Sequence, residues 1–353
     1  FKTRGDVKYR LGTGGLVTAL DPVLKSTGGL WIGWDGVAET WSGKRPSELF
    51  VGHDKDNVGY HLHLINLTPM EVMQFYRGFA NRILWPLFHS FITKATFHPD
   101  YWPRYVQVNR KFADKVLQLA TKDDYIWIHD YQLMLVPKLL KEANPELKIG
   151  FFLHIPFPPF EIYQALPQAK LVVEGVLGAD IIGFQVKDYL SNFLVAVERL
   201  TDMRVSRDPG LIWTGDREII CNDYAISIDF RGFDSLARST PVARLLKKHR
   251  VDTGGRKVIL GVDRIDYTKG IKERLLGFAR FLEKYPGYRG KVQFIQVTVP
   301  SRTRVEEYRL MKREIDEIIG RINGKYSDSY WIPIRYFFRS IPRELLISLY
   351  RLA

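Results

Sequence analysis

Five short apolar runs, separated by amphipathic stretches, constrain the fold of this chain more than any other feature. Residues 125–128, 149–153, 180–184, 257–262 and 292–297 have the length and near-continuous apolar character of strands buried on both faces. Before and between them, 107–119, 133–142, 189–200 and 270–284 repeat apolar residues at helical spacing. Such alternation predicts an α/β fold with parallel sheets and right-handed crossovers. A length of 353 residues exceeds one ordinary core. The rhythm breaks at 229–255, a charged stretch that ends in Thr253-Gly254-Gly255 before a new strand. We therefore expect two doubly wound domains, 1–235 and 236–353, with ligands beyond the carboxyl ends of the strands in a cleft between them.

Composition removes several function classes. No apolar run is long enough to span a bilayer, so no membrane partner is expected. Cys221 is the single cysteine, which excludes an intrachain disulfide and suits a reducing, cytoplasmic setting. The net charge of +13 invites a nucleic-acid reading. The basic residues are scattered, however, and the densest cluster is Lys247-Lys248-His249-Arg250. Without a zinc spacing, an RNA-binding aromatic motif or a basic tail, no nucleic-acid partner is expected. Small phosphorylated substrates account for part of the excess.

Chemistry concentrates where strands end. Arg264 and Lys269 lie between the strand at 257–262 and the helix that opens at Gly270. Two cations beside the free N–H groups of a helix N-terminus suit a diphosphate leaving group. Asp130 follows the strand at 125–128, placed either to bind sugar hydroxyls or to cap the next helix. His154 follows the strand at 149–153, and the prolines after it hold the backbone out of the sheet; structural and catalytic roles both remain open.

Other signals are weaker one by one. Gly12, Gly14 and Gly15 precede a helical pattern and form a loop that could receive phosphate, but the dinucleotide fingerprint is incomplete. No acidic residue follows at the spacing a ribose needs, which disfavours an NAD-dependent oxidoreductase. Tyr76 and Trp85 are either core aromatics or walls for a sugar ring. Arg302 is either a phosphate grip or a loop salt bridge.

Taken in order, Gly14-Gly15-Leu16, Gly-Leu-Trp-Ile-Gly-Trp at 29–34 and Leu84-Trp85-Pro86 begin a wider pattern. Trp-Ile-His-Asp-Tyr at 127–131, Gly-Phe-Phe-Leu-His-Ile-Pro-Phe-Pro at 150–158, Arg-Ile-Asp-Tyr-Thr-Lys-Gly at 264–270 and Gly-Arg-Ile-Asn-Gly-Lys-Tyr at 320–326 complete it. The set resembles the trehalose-6-phosphate synthase family, glycosyltransferase family 20. That resemblance implies a GT-B architecture of two Rossmann-like domains and a retaining transfer of glucose from a nucleotide-glucose, expected to be UDP-glucose, onto glucose 6-phosphate. It implies no catalytic metal and no cofactor, the nucleotide sugar being a co-substrate, and a homo-oligomer is expected.

Carried over by motif, Trp34, Tyr76, Trp85, Asp130 and Arg302 resemble acceptor contacts. Gly14, Gly15, His154, Arg264, Lys269 and Ile341 resemble donor contacts. Asp130, His154, Arg264 and Lys269 form the catalytic set. The implied step is a front-face substitution in which Arg264 and Lys269 stabilise the departing phosphate while His154 and Asp130 position hydroxyls. The family opens with a strand ending in Ser-Asn-Arg and later carries an acidic, amide-rich donor phrase. Neither occurs here, so a chain truncated at both ends, with an incomplete second domain and low activity, is expected. The alternatives are a glucosylglycerol-phosphate synthase that accepts glycerol 3-phosphate and a catalytically silent sugar-phosphate sensor.

Overall fold

The apolar runs form two parallel sheets, one in each half of the chain. The computed structural model describes residues 2–3, 6–7, 15–38, 47–53, 58–300 and 306–353. It divides into two compact units, Phe1–Ser227 and Ile228–Ala353.

Among the described residues of the first unit, six strands make one sheet. Their order is Tyr125–His129, Lys148–Phe152, Ile181–Phe184, Arg217–Asp223, Gly210–Thr214 and Arg204–Arg207. The first four run parallel. The last two fold back antiparallel. Helices Val136–Ala143, Ala169–Val176 and Lys187–Leu200 carry the chain between them. The core is aromatic: Phe157 packs against Phe88, Tyr163, Phe184 and Phe193. A smaller sheet orders Leu30–Gly33, Val58–Leu64 and Glu48–His53.

In the second unit, Lys257–Arg264, Val292–Val299 and Ile334–Phe337 are parallel neighbours. Helix Ile271–Lys284 presents Ile271, Leu275, Phe278 and Leu282 to the core, where they meet Phe294 of the sheet and Ile315, Ile318 and Ile322 of helix Glu306–Tyr326. The spacing is that of one helical face. Burying each such side chain contributes about 1.5–3 kcal/mol.

Every expected strand and helix forms, with ends shifted by a few residues. Burial on both faces does not hold throughout. Tyr125 is 82% exposed and Trp127 54%, whereas Ile128 is buried. Successive strand residues point to opposite faces, and an apolar run does not say whether something covers both. The antiparallel addition at 204–223 and the small sheet were not anticipated. The first had a legible signal: Thr214 pairs with Arg217 across a two-residue Gly215-Asp216 loop, with Gly215 at φ 70°. The expected boundary after 235 falls inside helix Phe230–Ala237. That helix joins the second unit, where Arg351 donates to the Ala237 carbonyl at 2.6 Å and the Arg343 guanidinium lies 4.9 Å from the Phe233 ring centre. No described helix is long and apolar enough to cross a membrane.

Candidate active site

Strands Tyr125–His129 and Lys148–Phe152 are parallel neighbours with His129 opposite Phe152, so their carboxyl ends deliver His129, Asp130 and His154 to one place. Asp130 has φ 71°, a left-handed conformation that a short polar side chain tolerates better than a branched one. Its N–H extends the ladder by donating to the Phe152 carbonyl at 2.8 Å. Its Oδ1 accepts from the His154 N–H at 3.2 Å. The capping role left open by the sequence does not hold, because the next helix begins at Val136 and its capping position is Leu135.

The two histidines form a pair. His129 Nδ1 lies 3.0 Å from His154 Nε2, with the rings 5.2 Å apart. One nitrogen donates and the other accepts, so the tautomers of the two rings are coupled. Burial, and after it the nearby His154, depresses the His129 pKa to about 3. Burial alone depresses His154 to about 4. Both rings are neutral at physiological pH. Each binds a proton less readily folded than unfolded, where the pKa is about 6.5. Unfolding in acid therefore takes up protons. The pair's contribution to stability is complete above about pH 6.5 and is lost as the pH falls towards the folded values. In melts from about pH 8 down to about pH 4, the wild type is expected to lose thermal stability more steeply than His154→Gln. Parallel curves for the two proteins would remove this assignment.

The aromatic candidates assemble around the same strand ends. Trp34 meets Tyr76 edge-on at 5.1 Å. Tyr76 sits on Val72–Leu84, a helical segment of the wide i→i+5 kind; Trp85 N–H, just after it, donates to the Ala80 carbonyl. Asn81 on that segment donates to the Tyr76 carbonyl at 2.6 Å and accepts from the Tyr131 hydroxyl at 2.9 Å. Tyr131 follows Asp130, and its ring lies 5.6 Å from Trp85. Trp85 is 5% exposed and packs as core, while Trp34 and Tyr76 are half-buried. Asn81 and His129 thus join the site; sequence reasoning had singled out neither. His129 was legible as the residue before Asp130, but Asn81 carried no signal, since its partners lie 5 and 50 residues away.

An apolar hollow of 740 Å³ opens on the same sheet, with Leu20, Tyr125, Trp127, Ile181 and Ile226 in its walls beside His129 and His154. Gly15 opens the 13-residue helix Gly15–Thr27, and a Cβ there would meet nothing within 4 Å. Gly14 and Arg302 lie outside the described residues.

In the second unit the strand-to-helix connection takes the expected form. Arg264 ends its strand and is exposed. A tight turn, Tyr267–Lys269, leads to Gly270 at φ 61° and helix Ile271–Lys284. The buried Asp266 carboxylate accepts from the Thr268 N–H at 3.0 Å and its hydroxyl at 2.9 Å, which shapes the turn. Lys269 is exposed and makes no salt bridge among the described residues. A cation so placed at the head of a 14-residue helix can meet an anion that also faces the helix N–H groups. The Ile341 side chain, half-buried, packs against the cluster of Ile295, Val297 and Leu349. Among the described residues, no three His, Cys, Asp or Glu side chains converge as a metal site would require.

The glycosyltransferase family 20 model matches residues 2–353. The chain is 40% identical over 354 aligned positions to a trehalose-6-phosphate synthase of Mycolicibacterium smegmatis, covering 98% of this chain and 68% of that protein. It is similar to a UDP-forming α,α-trehalose-phosphate synthase of Burkholderia xenovorans solved in complex with glucose 6-phosphate. There the TM-score is 0.88 at 31% identity, over 97% of this chain and 75% of the other. A third relative, the E. coli trehalose-6-phosphate structure bound with UDP-2-fluoro glucose, also gives a TM-score of 0.88 at 31% identity, over 99% and 75%. The α/β fold is that of the GT-B class, and with the family model spanning nearly every residue, the chain belongs to glycosyltransferase family 20.

Proposed function

We propose that this protein transfers glucose from UDP-glucose to glucose 6-phosphate with retention, releasing UDP and forming α,α-trehalose 6-phosphate. The observation that carries the reading is the position of the motif residues. Asp130 and His154 stand at strand ends, and Lys269 on a strand-to-helix turn, in a chain that superposes on a synthase holding glucose 6-phosphate. In the proposed step the bond from the sugar's anomeric carbon to the diphosphate oxygen breaks as the acceptor oxygen bonds on the same face. The acceptor's proton passes to the departing phosphate. Arg264 and Lys269 stabilise the charge that develops there, an interaction strongest in the transition state. With a pKa near 4, His154 is a weak proton acceptor at neutral pH and holds a sugar hydroxyl by hydrogen bonding. Asp130, in its turned backbone, orients acceptor hydroxyls beside it. The nucleotide sugar is a co-substrate and the scheme uses no cofactor or resident metal. Cytoplasmic residence and a homo-oligomeric assembly belong to the same proposal.

The test is an assay with UDP-glucose and either glucose 6-phosphate or glycerol 3-phosphate, following UDP release and product configuration by NMR. Turnover with glucose 6-phosphate and an α,α-linked product is expected. Turnover with glycerol 3-phosphate alone would replace the reading with glucosylglycerol-phosphate synthesis. Saturable binding of glucose 6-phosphate without turnover would favour a sensor.

A further inference from the structure

We propose that Arg274 is a positioning residue that, with Asp263 and Gln296, sets the turn presenting Lys269. The inference rests on the reading of Lys269 as a contact to the leaving diphosphate. Strand register starts the argument: Gly261 lies opposite Gln296 and Asp263 opposite Thr298, so all four share one face of the sheet. The face is polar where a parallel sheet is ordinarily apolar, since Gln296 and Thr298 are wholly buried. Gly261 leaves the space they use. A Cβ there would lie 2.3 Å from Gln296 Oε1 and 2.6 Å from Arg274 Nη1.

Arg274 reaches into that space from the first turn of helix Ile271–Lys284. Its Nη1 donates to Asp263 Oδ2 at 2.7 Å and to Gln296 Oε1 at 3.4 Å. The Gln296 amide donates to the same Asp263 oxygen at 3.2 Å and to Thr298 Oγ1 at 3.3 Å. The other arm of the guanidinium, Nη2, donates to the Lys269 carbonyl at 2.9 Å. A planar fork can hold two acceptors in fixed relation, which an ammonium cannot. Asp266 shapes the turn from one end and Arg274 holds it at the other, immediately before Gly270.

Helix docking does not depend on this fork, because Ile271, Leu275, Phe278 and Leu282 already anchor the helix in the core. The fork's arginine is matched by Asp263, whereas Lys269 has no salt-bridge partner among the described residues. The network therefore spends one cation to place another.

The test is a double-mutant cycle on the whole protein, reading kcat, the KM for UDP-glucose and UDP affinity. Arg274→Gln is expected to lower kcat about 30-fold, the scale of a misplaced catalytic group. In a Lys269→Ala background the same change should cost less than about twofold, since the group it positions is gone. Asp263→Asn should show a smaller loss with the same non-additivity, and Arg274→Lys should recover only part of the rate. Equal losses in both backgrounds would assign Arg274 a general structural role and overturn the inference, as would an unchanged kcat in Arg274→Gln with near-UV circular dichroism retained. If Lys269→Ala alone leaves kcat unchanged, the leaving-group reading fails first, and that outcome is visible before Arg274 is considered.

Discussion

Lys269→Ala is expected to lower kcat by about 10²–10³-fold, the range seen when one donor to a developing oxyanion is removed, while glucose 6-phosphate binding is unchanged. The expectation follows from position. Lys269 is exposed, stands at the head of a helix, and is the residue before the left-handed Gly270. Charge on the leaving diphosphate grows as the glycosidic bond lengthens, so a cation there acts more strongly in the transition state than on the bound substrate. The loss should therefore fall on kcat and kcat/KM together. Stability should change little, because the side chain lies at the surface and away from the core. Steady-state kinetics, with calorimetric titration of glucose 6-phosphate, measures both parts. A rise in KM with kcat intact would show that Lys269 only helps to hold the donor, and the transition-state role would be withdrawn.

Gly178→Ala should destabilise the first unit by about 3 kcal/mol. A Cβ at Gly178 would lie 2.2 Å from Lys138 N, 2.3 Å from the Pro137 carbonyl carbon and 2.4 Å from Lys138 Cα. These are backbone atoms of helix Val136–Ala143, so no side chain can rotate aside; the helix must move. One turn earlier, a Cβ at Gly175 would lie 2.5 Å from the Met134 carbonyl oxygen, on the loop that leads from Asp130 into that helix. A displaced helix thus disturbs the acceptor side of the site as well, and glucose 6-phosphate affinity should fall along with the melting temperature. The control is Gly277→Ala, in helix Ile271–Lys284, where a Cβ would meet nothing within 4 Å. That change should stabilise by about 0.5–1 kcal/mol through helix propensity. Chemical denaturation of both variants decides the matter: a Gly178→Ala protein as stable as the wild type would show that the two elements have room to separate.

The parallel strands were legible because strands inside such a sheet are mostly apolar, and five near-continuous apolar runs alternate with helical patterns. Strand ends were legible for the same reason: where the apolar run stops, polar residues such as Asp130, His154, Arg264 and Lys269 begin. The antiparallel hairpin was missed although its Gly215-Asp216 loop is a turn signal, because the adjoining strand Arg204–Arg207 reads as polar.

Local order along the chain, then, determined the fold class, the helix that begins after Gly270 and the identity of the residues at each strand end, since propensity and periodicity are properties of neighbours in sequence. Three features were decided only by tertiary structure. The contact between His129 and His154 depends on two strands lying side by side in register. The chain from Tyr76 through Asn81 and Tyr131 to Trp85 depends on a helix packing against a strand end. The grip of Arg274 on Asp263 and on the Lys269 carbonyl depends on Gly261 leaving space that a side chain would fill. Each joins groups that are remote in sequence or separated by a turn, and their distances are set by how whole elements pack, which no local pattern encodes.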